Sequence, residues 1–426
     1  MSLNLSLATS ARMEEPNSGE VKAGFPTQSN IEIKENPGRW LPWVLVPLFI
    51  LVGIGLRYAG LKFVSLDMRY FLLDWYNTLT TRGFSALSEP FSNYTPPYLY
   101  LLFLVTKTAG ILPKIAAIKL VSICFDFLNA FLIYKLLRIR FPHGAIALIG
   151  ASAFLLLPTI VVNSAYWGQC DAIYSFFALA CVYFLMKSQP LPAMVFLGIS
   201  FSFKAQALFL APLLFLLVLK KKIPWFYVTI IPVAYMLMIM PAALAGRPFA
   251  ELLKIYVDQE QKYSTLSMHA PNLYLLFPKS LHTPATVLLG LLIAAVVILA
   301  WATVYDNKFK EVPPNVILLG AMMSVALMPF FLPKMHERYF YLADVLSFLM
   351  AFYFPQGGGW LLALGYQLTS GLTYSIYMIA SVMRINHLFV RNFLFSALLV
   401  NIALLGFTFS NRWKLAQKSA EGRTQA

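Results

Sequence analysis

The stretch A-T-V-L-L-G-L-L-I-A-A-V-V-I-L-A-W-A-T-V-Y, from Ala285 to Tyr305, contains no charged side chain. A helix needs about 20 apolar residues to cross the hydrocarbon core of a bilayer. Because the stretch lacks the alternation of a barrel strand, it predicts a membrane-spanning helix.

Runs of this kind recur along most of the 426 residues, of which 59% are hydrophobic and 12% charged. A soluble domain needs more charged surface than this. The predicted fold class is an all-α polytopic membrane protein with about ten full transmembrane helices, re-entrant or short segments, and outer juxtamembrane helices. We expect the spans near 41–61, 115–137, 144–164, 171–187, 222–246, 285–305, 315–332, 338–354, 360–380 and 392–410.

Both ends of the chain are polar. Residues 1–38 and 412–426 predict cytoplasmic tails, the first of them disordered, on either side of a transmembrane domain at 39–411. The first apolar run is too long for a signal peptide and no small-residue cleavage pattern follows it, so we expect it to remain as an anchor.

The net charge of +15 could suggest a nucleic-acid partner. The basic residues are scattered between apolar spans, however, so we expect no nucleic acid, and anionic lipid headgroups or lipid phosphates are the better partners. Cys124, Cys170 and Cys181 show no CxxC spacing, which argues against a metal–thiolate site and a structural disulfide.

Three basic clusters indicate the cytoplasmic side, namely Lys220–Lys222, the residues around Arg138, and the C-terminal tail. All three can be inside, together with both termini, if 96–112 stays at the outer face and 193–219 enters the membrane and returns. The outer loops are then 62–95, 164–170, 247–284 and 333–338. These loops also carry many cations, either because long outer loops escape the positive-inside rule or because the outer face binds an anionic ligand.

The first outer loop reads S-L-D-M-R-Y-F-L-L-D-W-Y-N-T-L from Ser65 to Leu79 and predicts an amphipathic interfacial helix. Ser65 can cap its start, which places Asp67 in the first turn, where the helix N-terminus favours a carboxylate. We interpret Asp67 as functional. Asp74, on roughly the same face, is a substrate-binding candidate, although the solvated side of the helix explains it as well.

Two further outer pieces carry candidate residues. N-Y-T-P-P-Y-L-Y, from Asn93 to Tyr100, is a turn followed by a helix start, and Tyr94 is a substrate-binding candidate there. In S-A-Y-W-G-Q-C-D-A, from Ser164 to Ala172, an acid begins a span. That acid is either a plain helix cap or a group that orients a substrate hydroxyl. The candidates in this piece are Trp167, Gln169 and Asp171.

Lys204, in S-F-K-A-Q-A, lies in the middle of an apolar stretch, where a charged side chain is energetically unfavourable. A lysine in mid-membrane costs about 2.5–3.5 kcal/mol on insertion scales, so it must face water, a carboxylate or a phosphate. A buried structural ion pair is the alternative to a functional role.

The piece L-P-K-M-H-E-R-Y-F, from Leu332 to Phe340, places three potential cations in a short outer loop. A guanidinium fork and an imidazole suit a phosphate, so Lys334, His336 and Arg338 are phosphate-binding candidates, with Glu337 beside them for substrate. The alternative is a belt that anchors the chain at the interface. The loop 247–284 lacks metal-ligand spacing for its histidines and could cover the site as a lid.

In this order, the pieces resemble the GT-C superfamily of membrane glycosyltransferases, which are built on a bundle of transmembrane helices. They look most similar to bacterial integral-membrane mannosyltransferase-like proteins, related to the second GPI mannosyltransferase and to the oligosaccharide-pathway glucosyltransferases. S-L-D-M-R-Y, Y-T-P-P, W-G-Q-C-D and M-H-E-R-Y carry the resemblance over roughly 41–355, and F-K-A-Q looks like the lysine-bearing short helix of the family.

The resemblance implies an inverting transfer of a hexose, mannose or glucose, from a polyprenyl-phosphate sugar to a lipid- or glycan-linked acceptor. It implies that Asp67 acts on the acceptor at the periplasmic or extracytoplasmic face of the plasma (inner) membrane. The family often has an acid beside the proline motif, sometimes a metal ligand, where this chain has Asn93, Tyr94 and Thr95. No cofactor is therefore assigned, and a divalent metal is the one that the resemblance leaves open.

The same residue types suit the chemistry without the family name. A base beside the acceptor hydroxyl and cations at the departing phosphate are what an inverting transfer needs. A secondary transporter or lipid-linked-sugar flippase is the alternative, since it would also have a buried lysine, a broken helix and outer charges. A non-enzymatic sensor or assembly scaffold is a further alternative, and a polyprenyl-phosphate-releasing ligase, close in chemistry to the transferase, is a third option. The oligomeric state is not predicted.

Overall fold

The protein, in a computed structural model, is described at residues 40–262, 264–384 and 386–410. Both predicted tails lie outside these ranges. The described part forms sixteen α-helices, α1 to α16, in chain order Leu41–Gly60, Leu73–Arg82, Pro96–Thr106, Lys114–Arg140, Ile146–Phe154, Pro158–Val161, Asp171–Met186, Pro190–Phe203, Ala211–Leu219, Ile230–Leu244, Phe249–Gln261, Pro284–Lys308, Pro314–Phe331, Tyr341–Tyr353, Gly359–Ala380 and His387–Thr408.

Short helical and strand segments connect them. The π-helices are Met68–Leu72 and Val162–Trp167, and the 3-10 helices are Gly83–Ser88, Ala205–Leu210, Trp225–Thr229, Leu273–Leu276, Lys279–Leu281 and Glu337–Phe340. The strands are β1, Ser267–Met268, and β2, Met335–His336, which pair in parallel.

Six helical segments are long and apolar enough to cross a membrane: α1, α4, Trp225–Leu244, α12, α13 and Leu388–Thr408. The segments Ile146–Phe154 and Pro158–Trp167, bent by 47° at a short break, could form a seventh span. This confirms an all-α membrane protein. Each predicted span overlaps a helical segment, although 144–164 is interrupted after Phe154. The remaining helices are shorter or less apolar, so the number of ten crossings stays a prediction.

Proline positions many helix starts. Pro96, Pro158, Pro190, Pro284 and Pro314 each begin a helix. Proline suits this position because its fixed φ matches the helix and its missing N–H would have no intrahelical acceptor there. The sequence thus sets these boundaries locally.

The bend between α5 and α6 is held by a buried cation. Pro158 interrupts the helical hydrogen bonding, and the carbonyl of Leu155 accepts from Arg57 Nη1 at 2.8 Å instead. The same guanidinium forms an ion pair with Asp126 at 2.8 Å, which ties α1 to α4. The bend therefore has an identifiable cause in proline and a side-chain donor.

The segment predicted to enter the membrane and return is broken at Lys204, whose backbone is extended (φ −152°, ψ 139°). Helix α8 leads into the break, and the Ala205–Leu210 turn and α9 lead out of it. Residues Gln189 and Pro190 before the break and Leu217 and Lys222 after it line one cleft. The two ends of the segment thus meet, as an entering and returning segment requires.

Candidate active site

The turn between α1 and the helical segment Met68–Leu72, which continues into α2, is fixed by a buried lysine. Lys119 Nζ donates to the carbonyl oxygens of Gly60 at 2.8 Å and Phe63 at 2.7 Å. These carbonyls lie at the end of α1, where the helix lacks its own donors, so a cation is favourable there. The turn holds the following residues at the site.

Ser65 caps the start of the helical segment that runs through Met68–Leu72 into α2, as the sequence predicts. Its Oγ accepts from the backbone N–H of Met68 at 3.1 Å and donates to the carbonyl of Trp167 at 2.7 Å. The first contact caps the helix, and the second fixes the helix to the Ser164–Ala172 piece. Asp67 consequently lies in the first turn beside Trp167.

The carboxylate of Asp67 is held by two side-chain donors. Trp167 Nε1 donates to Asp67 Oδ2 at 2.9 Å, and Gln169 Nε2 donates to the same oxygen. Tyr94 in turn donates its hydroxyl to Gln169 Oε1 at 3.0 Å. The three outer pieces therefore converge on one carboxylate, whose other oxygen receives no bond from Trp167 or Gln169.

The indole of Trp167 lies between the carboxylate of Asp67 and the segment from Leu332 to Phe340, which carries Arg338. Its ring stacks on Tyr377 with the centroids 4.1 Å apart and the planes tilted by 19°. The guanidinium carbon of Arg338 lies 5.8 Å from the ring centroid. Asp67 and Arg338 thus contact one and the same side chain, so the acid and the cation face a common small region.

The charges of His336 and Glu337 differ from what their residue types suggest. Burial, together with Arg338, Lys204 and His269, lowers the pKa of His336 well below its ordinary value, so the imidazole is neutral at pH 7. Burial raises the pKa of Glu337 to about 7, although Arg338, 3.5 Å away, favours the charged form. His336 can therefore donate or accept a hydrogen bond at neutral pH but supplies no charge.

Lys204 faces a carboxylate, one of the three surroundings that its position required. Its Nζ lies 2.5 Å from Asp171 Oδ1, and Asn163 donates to Asp171 Oδ2 at 2.8 Å. The ammonium is also 5.5 Å from the ring centroid of Tyr94. The break in the helix is stabilised by Thr95, which donates to the carbonyl of Phe203 at 3.1 Å.

Residues of the loop 247–284 contact segments that border this region. In α11, Tyr256 donates to the carbonyl of Phe201, and Gln259 donates to the carbonyl of Asn93. Strand β1 of the same loop pairs with β2, so that Met268 lies opposite His336. The loop therefore contacts both the segment that leads into the helix break and the segment from Leu332 to Phe340. A lid over the site would make contacts of this kind, and the role of a lid stays a prediction.

Two candidate residues are placed apart from the others. Asp74 is exposed, and its carboxylate forms no hydrogen bond or ion pair within the described ranges. Lys334 turns to α11, where its Nζ lies 2.5 Å from Glu260 Oε1. The structure brings together the remaining candidates, which are Asp67, Tyr94, Trp167, Gln169, Asp171, Lys204, His336, Glu337 and Arg338.

Sequence reasoning missed Tyr377 and Tyr374, which pack against Trp167. The hydroxyl of Tyr377 also accepts from the backbone N–H of Asp67 at 2.7 Å. Their spacing of three residues puts both on one face of α15, and this was the available signal. It is weak because aromatic residues are common in apolar spans.

No group of three or more His, Cys, Asp or Glu side chains with metal-binding geometry occurs among the residues that the structure describes. Comparison of the chain with known proteins gives no match, either to a protein-family model or to a curated protein.

Proposed function

We propose that this protein is an inverting glycosyltransferase that moves a hexose, mannose or glucose, from a polyprenyl-phosphate sugar to a lipid- or glycan-linked acceptor. The observation that carries the proposal is the shared contact of Asp67 and Arg338 with Trp167. It provides a base and a cation around one small region, which is what an inverting displacement requires.

In the proposed reaction, an acceptor hydroxyl oxygen attacks the anomeric carbon of the sugar. The new C–O bond forms as the bond from that carbon to the phosphate oxygen breaks, and the electron pair leaves with the phosphate. The acceptor proton passes to Asp67. We expect Oδ1 to receive it, because Trp167 and Gln169 both donate to Oδ2.

Arg338 is the proposed partner of the departing phosphate. The phosphate gains negative charge as the bond breaks, so a fixed guanidinium binds the transition state better than the ground state. His336 and Lys204 lie near it, the first as a neutral hydrogen-bonding group and the second as a cation already paired with Asp171. We expect Lys334 to contribute less to binding of the phosphate, because its ammonium already pairs with Glu260.

The membrane arrangement is part of the proposal. We infer a GT-C-like bundle of ten crossings in a plasma (inner) membrane, with both termini in the cytoplasm and the site at the extracytoplasmic face. The polyprenyl tail of the donor would lie between apolar helices. The exposed apolar side chains of α12, among them Leu288, Leu292 and Val296, show how much of the described surface suits lipid.

The test uses purified protein with polyprenyl-phosphate mannose, glucose or arabinose as donor and a membrane lipid extract as acceptor, and measures released lipid phosphate. Asp67→Asn should lower turnover by about 10²–10⁴-fold, the usual contribution of a general base, while donor binding persists. Asp74→Asn is the matched control, because Asp74 is an exposed acid on the same outer segment. It should retain near-normal turnover.

Full transfer activity in Asp67→Asn would remove Asp67 as the base. If no donor releases lipid phosphate, while the protein moves a lipid-linked sugar between the leaflets of a vesicle, the chain is a flippase and the transferase proposal is wrong.

A further inference from the structure

The helices that position the site also carry a second feature at their opposite ends. Helix α7 begins at Asp171 in the site and ends at Met186, about 24 Å away at 1.5 Å per residue. Helix α8 starts at Pro190 and reaches the site at Phe203, and α13 likewise runs from Pro314 toward the site. The ends remote from the site surround one cleft.

This cleft has a polar mouth and an apolar floor. It is small, with a cavity volume of about 70 Å³, and it is partly open to solvent. Its mouth carries a cation, an amide and a hydroxyl, and its walls are aliphatic; the polar lining residues are Ser188, Gln189 and Lys222, and the apolar ones are Leu185, Pro190, Leu217, Ile223, Val312 and Ile317.

The surroundings of the cleft are strongly basic. The segments 187–189, 220–223 and 306–312 together hold six lysines and two acids, Asp306 and Glu311. Asp306 pairs with Lys220 at 2.7 Å. Lys187, Lys221 and Lys222 are exposed, so the mouth of the cleft presents positive charge.

Exposed apolar side chains continue from the cleft along the side of the bundle. Leu219 is 59% exposed and Phe215 is 45% exposed, both on α9. Trp225, 73% exposed, follows shortly after Lys222, and tryptophan is typical of the level of lipid headgroups. A ligand here would thus meet cations at one end and an apolar surface beside them.

We infer that this cleft binds the headgroup of an anionic phospholipid in the leaflet opposite the candidate active site. The phosphate lies at the exposed ammonium of Lys222 with Ser188 and Gln189 as hydrogen-bond donors, and the acyl chains lie along α9. Basic pockets between helices are favourable for such headgroups, because each lysine near an anionic surface strengthens binding roughly fivefold. The site is independent of the proposed transfer reaction.

Native mass spectrometry of the purified full chain with added phosphatidylglycerol or phosphatidylcholine tests this. We expect preferential retention of phosphatidylglycerol. The affinity for this lipid should fall about fivefold in Lys222→Ala and about 25-fold in the Lys221→Ala/Lys222→Ala double variant. Lys222→Arg keeps the charge and should retain binding. Lys254→Ala is the matched control, since Lys254 is an exposed lysine on α11, whose side chains contact the candidate site.

Three results would overturn the inference. They are equal retention of the two lipids, an equal loss in Lys254→Ala, and stabilisation by inorganic phosphate alone that matches phosphatidylglycerol in a thermal-shift assay. The last result would identify the cleft as a site for free phosphate rather than for a lipid.

Discussion

At the scale of single residues, the site is a set of buried polar groups, several of which pair with one another. Gln169 is 3% exposed and Asp171 1% exposed, so both are shielded from bulk solvent. Burying a charge is tolerable only when it is paired and hydrogen-bonded. The pairing of Lys204 with Asp171 is therefore as much a condition of folding as a feature of the site.

Lys204→Met should destabilise the protein by about 3–5 kcal/mol, because it leaves the Asp171 carboxylate buried with only Asn163 as a partner. The double variant Lys204→Met/Asp171→Leu should recover much of this loss, since it removes both charges. Thermal unfolding in detergent measures both effects. A single variant as stable as the wild type would show that the pair does not contribute as its geometry indicates.

The raised pKa of Glu337 predicts a dependence of stability on pH. The folded protein holds this proton up to about pH 7, whereas the ordinary pKa of a glutamate in an unfolded chain is 4.5. The contribution of this proton to the free energy of unfolding is fully present below pH 4.5 and is lost as the pH rises through 7. It amounts to about 1.4 kcal/mol for each unit of difference between the folded and unfolded pKa. Glu337→Gln should abolish this part of the pH dependence between about pH 4.5 and 7. A melting-temperature profile identical to that of the wild type would contradict the prediction.

At the scale of elements, close packing of helices decides which small residues can be changed. Helix α15 packs between α14 and α16 and carries Tyr374 and Tyr377 to Trp167. A Cβ added at Gly359, where α15 begins, would lie 1.9 Å from the carbonyl oxygen of Met350 in α14. The start of α15 therefore depends on glycine at this position.

Gly359→Ala should destabilise the protein by about 1–3 kcal/mol or more, because backbone atoms must shift to relieve the contact. Gly371→Ala, in the same helix, is the control, since nothing lies within 4 Å of its added Cβ. It should be neutral or stabilise by about 0.5–1 kcal/mol, as alanine is the better helix former. Thermal unfolding of the two variants tests this, and equal melting temperatures would refute it.

At the scale of the whole molecule, the candidate site and the basic cleft lie at opposite ends of α7, α8 and α13. Six helical segments are long and apolar enough to span a bilayer, with a bent pair as a seventh. A bilayer between the two ends is part of the proposed arrangement, and the positive-inside rule predicts that the exposed lysines of the cleft lie on the cytoplasmic side.

Cysteine labelling tests this orientation. In a background with Cys124, Cys170 and Cys181 replaced by serine, Ser85→Cys and Lys221→Cys each introduce one exposed thiol. A membrane-impermeant maleimide should label position 85 on intact cells and position 221 only after permeabilisation. Labelling of both from the same side would exclude the proposed topology.

Local sequence signals are enough to predict the class of protein, most helix boundaries and the pieces that meet at the candidate site. Hydrophobic length, helix-starting prolines and the Ser65 cap are local signals, because each depends on residues within a few turns of one another. The break at Lys204 was visible for the same reason, as a charge in an apolar run.

The protonation states and the partners of the site residues depend on how distant parts of the chain pack together. The contact of Trp167 with Asp67 joins residues 100 positions apart, and Lys334 turns to Glu260 rather than toward Arg338. The neutral charge of His336 depends on burial and on cations from other elements. Such properties arise from the desolvation and electrostatic field of a packed interior, which sequence spacing does not encode.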